Sequence, residues 1–328
     1  MNLFKSKKDD KKTERERVEE RREEILAQGR KFKYPLQYTK HRIVVNTMLI
    51  STTIVALCVV LGWLALYKFQ MTDELLYRVT SLLPVSVAEV EGEKVRFSDY
   101  LMLYRSSITT IERQSSSAAA DEELKSQYKR AALTSAEQYT YALKLARENE
   151  VTVTDAEVDA EFERHRQVGG IDRSEESFLK ILNDNFGLSK YEYRRLLYLN
   201  LMQAKVSAAV DTVATEISNE VENTLIENGG NFVAIANSLG EKISYEETGG
   251  LVDSKNIDGG RASEASRLEI GEQSGKFFSM NGDGYYFVKL IDKNETEVNF
   301  ASIFVPFTKF AEMFTAIQEN SITEHIQL

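Results

Sequence analysis

IVVNTMLISTTIVALCVVLGWLALY, from Ile43 to Tyr67, is 25 residues long and holds no Asp, Glu, Lys or Arg. About 20 such residues, rising about 1.5 Å each, cross the roughly 30 Å hydrocarbon layer of a bilayer. Trp63 and Tyr67 at one end and Tyr38 near the other are rings that favour the membrane interface. A cleaved signal sequence fits poorly, because the run is too long and no small-x-small site follows it. A buried soluble helix fits less well still, because no polar face interrupts the run. The stretch therefore reads as a single transmembrane helix, and residues 43–69 are assigned to the lipid bilayer.

Outward from this run the charge is lopsided. Residues 1–42 carry 14 Lys/Arg against 8 Asp/Glu, a net of +6 in a chain whose total is −10, so the remainder carries −16. Lys31, Lys33, Lys40 and Arg42 precede the run, whereas Lys68 and Arg78 are the only basic residues after it as far as Pro84. The positive-inside rule then puts the N-terminal tail in the cytoplasm and the bulk of the chain outside. ERERVEERREE in the tail reads as a solvated helix or a disordered arm. An acidic outer portion is a poor counterion for phosphates, which sets nucleic acid aside as a partner. The lone cysteine, Cys58, lies within the apolar run, so no intramolecular disulfide can form. His41, His165 and His325 are too scattered for a metal site, and no cofactor is implied.

Six segments follow from these boundaries: 1–42 a basic tail, 43–69 the span, 70–85 a tether, 86–215 a helical domain, 216–306 a small α/β domain and 307–328 a C-terminal helix. The fold class is α+β. VAEVEGEKVRFSDYL (Val87–Leu101) predicts a hairpin at Glu91-Gly92 running into a helix with Ser98 as N-cap. Gln114–Ala120 reads as a connector, and a long helix is predicted from about Asp121 to Asn149. Thr154 with Glu157 and Ser189 with Glu192 are capping boxes that open further helices. Gly169-Gly170 and Gly187 end the helices before them, and a break is expected near Ala208–Thr215. Beyond Gly229-Gly230 come short helices at Phe232–Leu239 and Ala262–Leu268. The strand-like runs KFFSM, YYFVKLI and EVNFASIFV and a last helix from Thr308 to Glu319 complete the pattern.

The order of these segments resembles the SurA/PpiD/PrsA group of bacterial extracytoplasmic foldases. VAEVEGEKVRFSDYL is similar to that group's alternating opening and first helix. ALKLARENEVTVTDAEVDAEF (Ala142–Phe162) resembles its central helix-turn-helix signature, and SEESFLKILNDNFGLSKYEYRRLL (Ser174–Leu197) the paired helices after it. The second half resembles a parvulin prolyl isomerase through GGNFVAIANSL, TGGLVDS, LEIGEQSGKFFSM and GYYFVKL, in family order. The resemblance implies that Tyr286 and Ser302 stand where the family has histidines, Phe278 where it has its pocket phenylalanine, and Gln273 where it has an apolar side chain. No Asp or Cys occurs between Asn237 and Thr248, the loop that supplies the family's acid or thiol. The family's opening strand is missing at the front and resembles ASIFVPF (Ala301–Phe307) at the back, which implies a circularly permuted domain; the alternative is that 298–306 form an independent edge strand.

The resemblance implies a chaperone that holds unfolded or nascent extracytoplasmic polypeptides, with a degenerate isomerase domain. Two alternatives stand beside it: an active prolyl isomerase, and a scaffold for one envelope partner. A peptide groove is expected to use adaptable and aromatic side chains. Tyr100, Leu103, Tyr191, Tyr198, Met202 and Phe278 are the candidates. His165 reads as a surface residue and Glu246-Glu247 as solvated loop.

Overall fold

The computed structural model describes residues 6–33, 35–114, 122–167, 171, 173–256 and 258–326. The chain divides into two compact units, residues 1–69 and 70–328. The expected connector and the Gly169-Gly170 break lie outside the described residues, apart from Gln114.

The first unit is helical. α1 spans Ser6–Lys33 and α2 spans Pro35–Trp63, and a turn of π-helix continues α2 to Lys68. Arg42–Lys68 is 27 residues long, apolar, and almost wholly unburied by the protein itself. Among the described residues it is the one helix long and apolar enough to cross a membrane.

The second unit has a helical part and a sheet part. Its first element is the helix α3 (Glu74–Leu82), where the sequence suggested only a tether. Tyr77 and Thr80 bury one face of α3, which packs against α4 (Phe97–Gln114). Between them β1 (Ser86–Val90) and β2 (Glu93–Arg96) form the expected hairpin, with Glu91 and Gly92 at positive φ in its turn. α4 begins at Phe97, so Ser98 lies inside the first turn rather than at its cap. α5 (Glu122–Glu148), α6 (Asp155–Arg166), α7 (Glu175–Phe186) and α8 (Lys190–Val210) follow. Both capping boxes form, with Glu157 accepting from Thr154 N and Glu192 from Ser189 N, each at 2.8 Å. These bonds satisfy amides that a helix start otherwise leaves unpaired. Val158, Phe162, Phe178, Leu182 and Leu197 then meet in one core, with the Phe162 and Phe178 rings edge-to-face at 5.4 Å. Each such side chain fully removed from water contributes roughly 1.5–3 kcal/mol.

The helix break expected near Ala208–Thr215 falls at Asp211. There α8 ends and α9 (Thr212–Glu227) begins. α10 (Phe232–Leu239) leads to β3 (Ser244–Glu247), β4 (Val252–Asp253) and the short α11 (Arg261–Ala265). β5 (Phe277–Phe278), β6 (Gly284–Lys293) and β7 (Glu297–Pro306) complete a sheet of order β3-β7-β6-β5, with β4 also paired to β7. β6 and β7 are antiparallel in the register expected of a hairpin, with Tyr285 opposite Val305 and Phe287 opposite Ile303. Period-two alternation sends Ala301, Ile303, Val305 and Phe287 to one face, against Val221, Leu225 and Ile235 of α9 and α10. Val298, Phe300, Val288 and Leu290 go to the other, against Ala262, Ala265 and Leu268.

α12 (Lys309–Gln318) returns to the helical part, where Phe310 and Phe314 lie 5.8 and 6.0 Å from the Tyr141 ring. The chain then forms β8 (Ile322–Glu324), which pairs with β1 and makes a three-stranded sheet of order β2-β1-β8. Residues 307–328 are therefore more than a terminal helix.

Candidate functional site: an apolar cleft between helices and sheet

A cleft of about 630 Å³ opens between the helical part and the sheet part. α8 supplies Leu197, Leu201 and Ala204 to it. Phe278 comes from β5, Met280 from the following turn, and Phe307 and Phe310 from the end of β7 and the start of α12. The turn that carries Met280 touches α8 closely. Gly282 sits at φ +73°, and a Cβ there would lie 2.2 Å from the Cβ of Ala204. Only glycine tolerates both that backbone angle and that approach.

On the sheet side, three aromatic rings stand together. Phe278 is 6.1 Å from Tyr285 and 5.7 Å from Phe307, and Tyr285 meets Phe307 edge-on at 5.0 Å. Phe278 and Met280 remain exposed, Phe278 by 38%. The helical rim is polar. Arg164 and His165 both hold Glu161, with Arg164 Nε 2.9 Å and His165 Nε2 3.0 Å from its carboxylate oxygens. Burial would raise the Glu161 carboxyl, but these hydrogen bonds and charges outweigh it and hold it at about 2. His165 Nδ1 also bonds the Tyr193 hydroxyl, whose own pKa burial pushes up to about 12. His165 is thus a wall residue of the cleft and not a free surface side chain. Its spacing four residues after Glu161 on one helix face was the available signal.

Of the six peptide-contact candidates, the cleft contains Phe278 alone. Tyr100 and Met202 are buried in the core of the helical part, Tyr100 edge-on to Phe97 at 5.7 Å. Leu103 is half-buried on α4, and Tyr198 packs against the Phe162 core beneath Arg195. Tyr191 is 65% exposed but is not a cleft residue. The reason is helical phase. Tyr191, Tyr198 and Met202 share one stripe of α8, whereas the cleft uses Leu197, Leu201 and Ala204, about 100° further round.

The parvulin-like positions divide between the two faces of the sheet. Tyr286 and Ser302 share the face covered by α11, and Arg261 joins them. Its guanidinium lies 5.1 Å from the Tyr286 ring centroid, donates to Ser302 Oγ at 3.3 Å and pairs with Glu246 at 2.6 Å. Glu246 stands opposite Ser302 in the β3–β7 ladder, so it lies on a strand rather than a loop, while its side chain remains solvated. Tyr286 also stacks on Phe304 at 4.6 Å, and Gly259 closes on its ring edge so tightly that a Cβ would be 2.9 Å away. The result is burial: Tyr286 is 6% exposed and Ser302 2%. Burial raises the Tyr286 hydroxyl pKa, with the Arg261 charge opposing. A hollow of about 200 Å³ lies beside Arg261, lined also by Thr248, Asn256 and Asp258.

Phe278 and Gln273 face the other way. Phe277, not Phe278, is paired with Tyr286, their rings 6.0 Å apart. Gln273 bridges to Lys289, whose ammonium donates to Gly230 O at 3.0 Å. Phe278 and Tyr286 therefore lie on opposite faces of the sheet. Among the described residues no group of three or more His, Cys, Asp or Glu side chains could hold a metal ion.

A hairpin that feeds a bundle of capped helices, with a small sheet beside it, defines an α+β protein with a helical module. A family profile for the SurA-like N-terminal domain matches residues 37–207, just over half of the chain, and the protein belongs to that family. No curated protein and no solved structure matches it.

Proposed function

We propose that the protein is a membrane-anchored extracytoplasmic chaperone of the SurA/PpiD/PrsA kind, holding unfolded or newly translocated polypeptides. The observation that carries this reading is the cleft. It joins an apolar floor of Leu197, Leu201, Phe278, Met280 and Phe307 to a polar rim, a chemistry suited to extended segments of mixed sequence. Family membership supports it, as does the uncharged helix ahead of the domain. In this reading the sheet part is a permuted parvulin-like domain. The antiparallel placement of β7 between β3 and β6 supports that relationship. The domain acts as a wall of the cleft rather than as an isomerase, because Tyr286 and Ser302 lie buried beneath Arg261.

The test uses the full chain in lipid nanodiscs with an aggregating unfolded client. The wild type is expected to slow aggregation at near-stoichiometric ratios, and Phe278→Glu with Met280→Glu to abolish most of that effect. Both side chains are exposed, and an unchanged thermal unfolding midpoint of the double variant is the control for its fold. An unchanged double variant would remove the cleft from the reading. Efficient isomerisation of an Xaa-Pro peptide without an effect on aggregation would favour the active isomerase instead.

A further inference from the structure

α3 presents an apolar face that the protein does not cover. Leu75, Val79 and Leu82 recur at helical spacing and are all exposed, Leu75 by 69% and Leu82 by 86%, and Leu83 extends the stripe. The opposite face holds Tyr77 and Thr80 against the helical part, so the orientation of the stripe is fixed by packing. The chain itself points to the occupant. Five residues separate Lys68 from Glu74, and five residues reach at most about 18 Å. A helix tethered so closely to the end of a bilayer span is within reach of the lipid headgroups. A second feature lies beside the stripe. Leu82, Leu83 and Pro84 line a notch of about 240 Å³ with Lys94 and Arg96. Lys94 is exposed and forms no ion pair among the described residues, and Arg96 donates to Ser81 O at 2.9 Å. Of the acids nearby, Glu74 pairs with Arg78 and Glu93 with Arg147, both at 2.5 Å, while Glu89 stands opposite Lys94 in the β1–β2 ladder. In a portion of net charge −16, an apolar ridge flanked by Lys94 and Arg96 is the surface that an anionic membrane would select.

We infer that α3 is an interfacial helix: its Leu75–Val79–Leu82 ridge inserts among the lipids of the bilayer that α2 crosses, while Lys94 and Arg96 bind anionic lipid phosphates. The contact fixes the orientation of the outer portion on the membrane.

This inference rests on the reading of α2 as a bilayer span, and the experiment separates the two. The full chain with Cys58→Ser receives single cysteines by Leu75→Cys, Leu82→Cys or Ile226→Cys, the last an exposed position on α9. Each carries a fluorophore in vesicles of phosphatidylcholine with or without phosphatidylglycerol. Quenching by lipid-borne nitroxide is expected to be several-fold stronger at 75 and 82 than at 226, and quenching by aqueous iodide several-fold weaker. Lys94→Glu with Arg96→Glu should lower nitroxide quenching at 82 in vesicles that contain phosphatidylglycerol. Iodide quenching at 82 equal to that at 226 would overturn the inference. So would protection from iodide without nitroxide quenching, which would mean that a second copy or another protein covers the ridge. Alkaline extraction that strips the protein from the vesicles would refute the span itself, whereas an integral protein with position 82 open to iodide refutes the interfacial helix alone.

Discussion

Asp211 is a buried carboxylate that joins three elements. Oδ1 accepts from Ala214 N at 2.9 Å and so caps α9, while Oδ2 accepts from Thr308 N at 2.8 Å and Lys309 N at 3.0 Å at the start of α12. Asp211→Ala strands these amides and is expected to cost about 2–4 kcal/mol in urea unfolding of the full chain. Glu137 makes a different demand. It is buried on α5, and its Oε1 and the Tyr100 hydroxyl lack hydrogen-bond partners among the described residues. Burial above all, with the Glu324 charge adding and Arg130 opposing, raises its pKa from 4.5 to about 7. Between pH 4.5 and 7 the folded chain holds a proton that the unfolded chain has released. The stabilisation present below pH 4.5 is thus lost as pH rises through 7. Relative to Glu137→Gln, the wild type should lose on the order of 3 kcal/mol across that window. Glu157 and Glu161, both held near 2, act with the opposite sign and only below pH 4.5, so they leave the comparison clean. Residue types alone disclosed neither site. An Asp before a helix reads as a cap, but nothing local says that its second oxygen serves residues 308 and 309. A Glu in the middle of a long helix reads as solvent-facing.

At the scale of elements, local chemistry was legible and distant pairing was not. The capping boxes at Thr154 and Ser189, the turn at Glu91-Gly92 and the β6–β7 hairpin are all encoded within a few residues, and all appear. α3 was missed because Gln70–Pro84 is short and its apolar side chains lie mostly on the exposed face. β3 and β8 were missed for another reason. SYEE and ITE are short and polar, and they become strands only because β7 and β1 supply the partners. In β8, Val90 faces Ile322 and Ala88 faces Glu324, some 230 residues away in sequence. Glu91 N bonds Ser321 O at 2.8 Å, His325 N bonds Val87 O at 2.9 Å, and Arg130 pairs with Glu324. Truncation after Asn320 should therefore leave β1 as an open edge. Hydrogen exchange by mass spectrometry is expected to show faster labelling of residues 86–90, with β6 and β7 unaffected. Equal protection of 86–90 in the truncated chain would mean that β8 contributes nothing to the hairpin.

At the scale of the whole molecule, one prediction draws on the charge distribution rather than on any contact. The apolar helix Arg42–Lys68 separates a tail of net +6 from a remainder of net −16. Positive charge near a span is retained on the cytoplasmic side, and acidic residues contribute little to the choice. The basic excess immediately before the span, Lys31, Lys33, Lys40 and Arg42, is therefore the deciding quantity, not the acidity of the remainder. On the proposed reading it directs α1 to the cytoplasm and the cleft to the outside, where unfolded chains emerge after translocation. The portion beyond the apolar helix has no cysteine, so its core holds without disulfides. Protease added to spheroplasts should digest the chain beyond Gln70 and leave an N-terminal tag intact until the membrane is lysed. Replacing Lys31, Lys33, Lys40 and Arg42 by Gln and adding four Lys after Gln70 should reverse both results, because the flank difference then changes sign. A tag digested in intact spheroplasts, with the cleft-bearing portion protected, would place the cleft in the cytoplasm and defeat the extracytoplasmic chaperone reading at its root. Survival of both ends would point instead to a helix that never enters the bilayer.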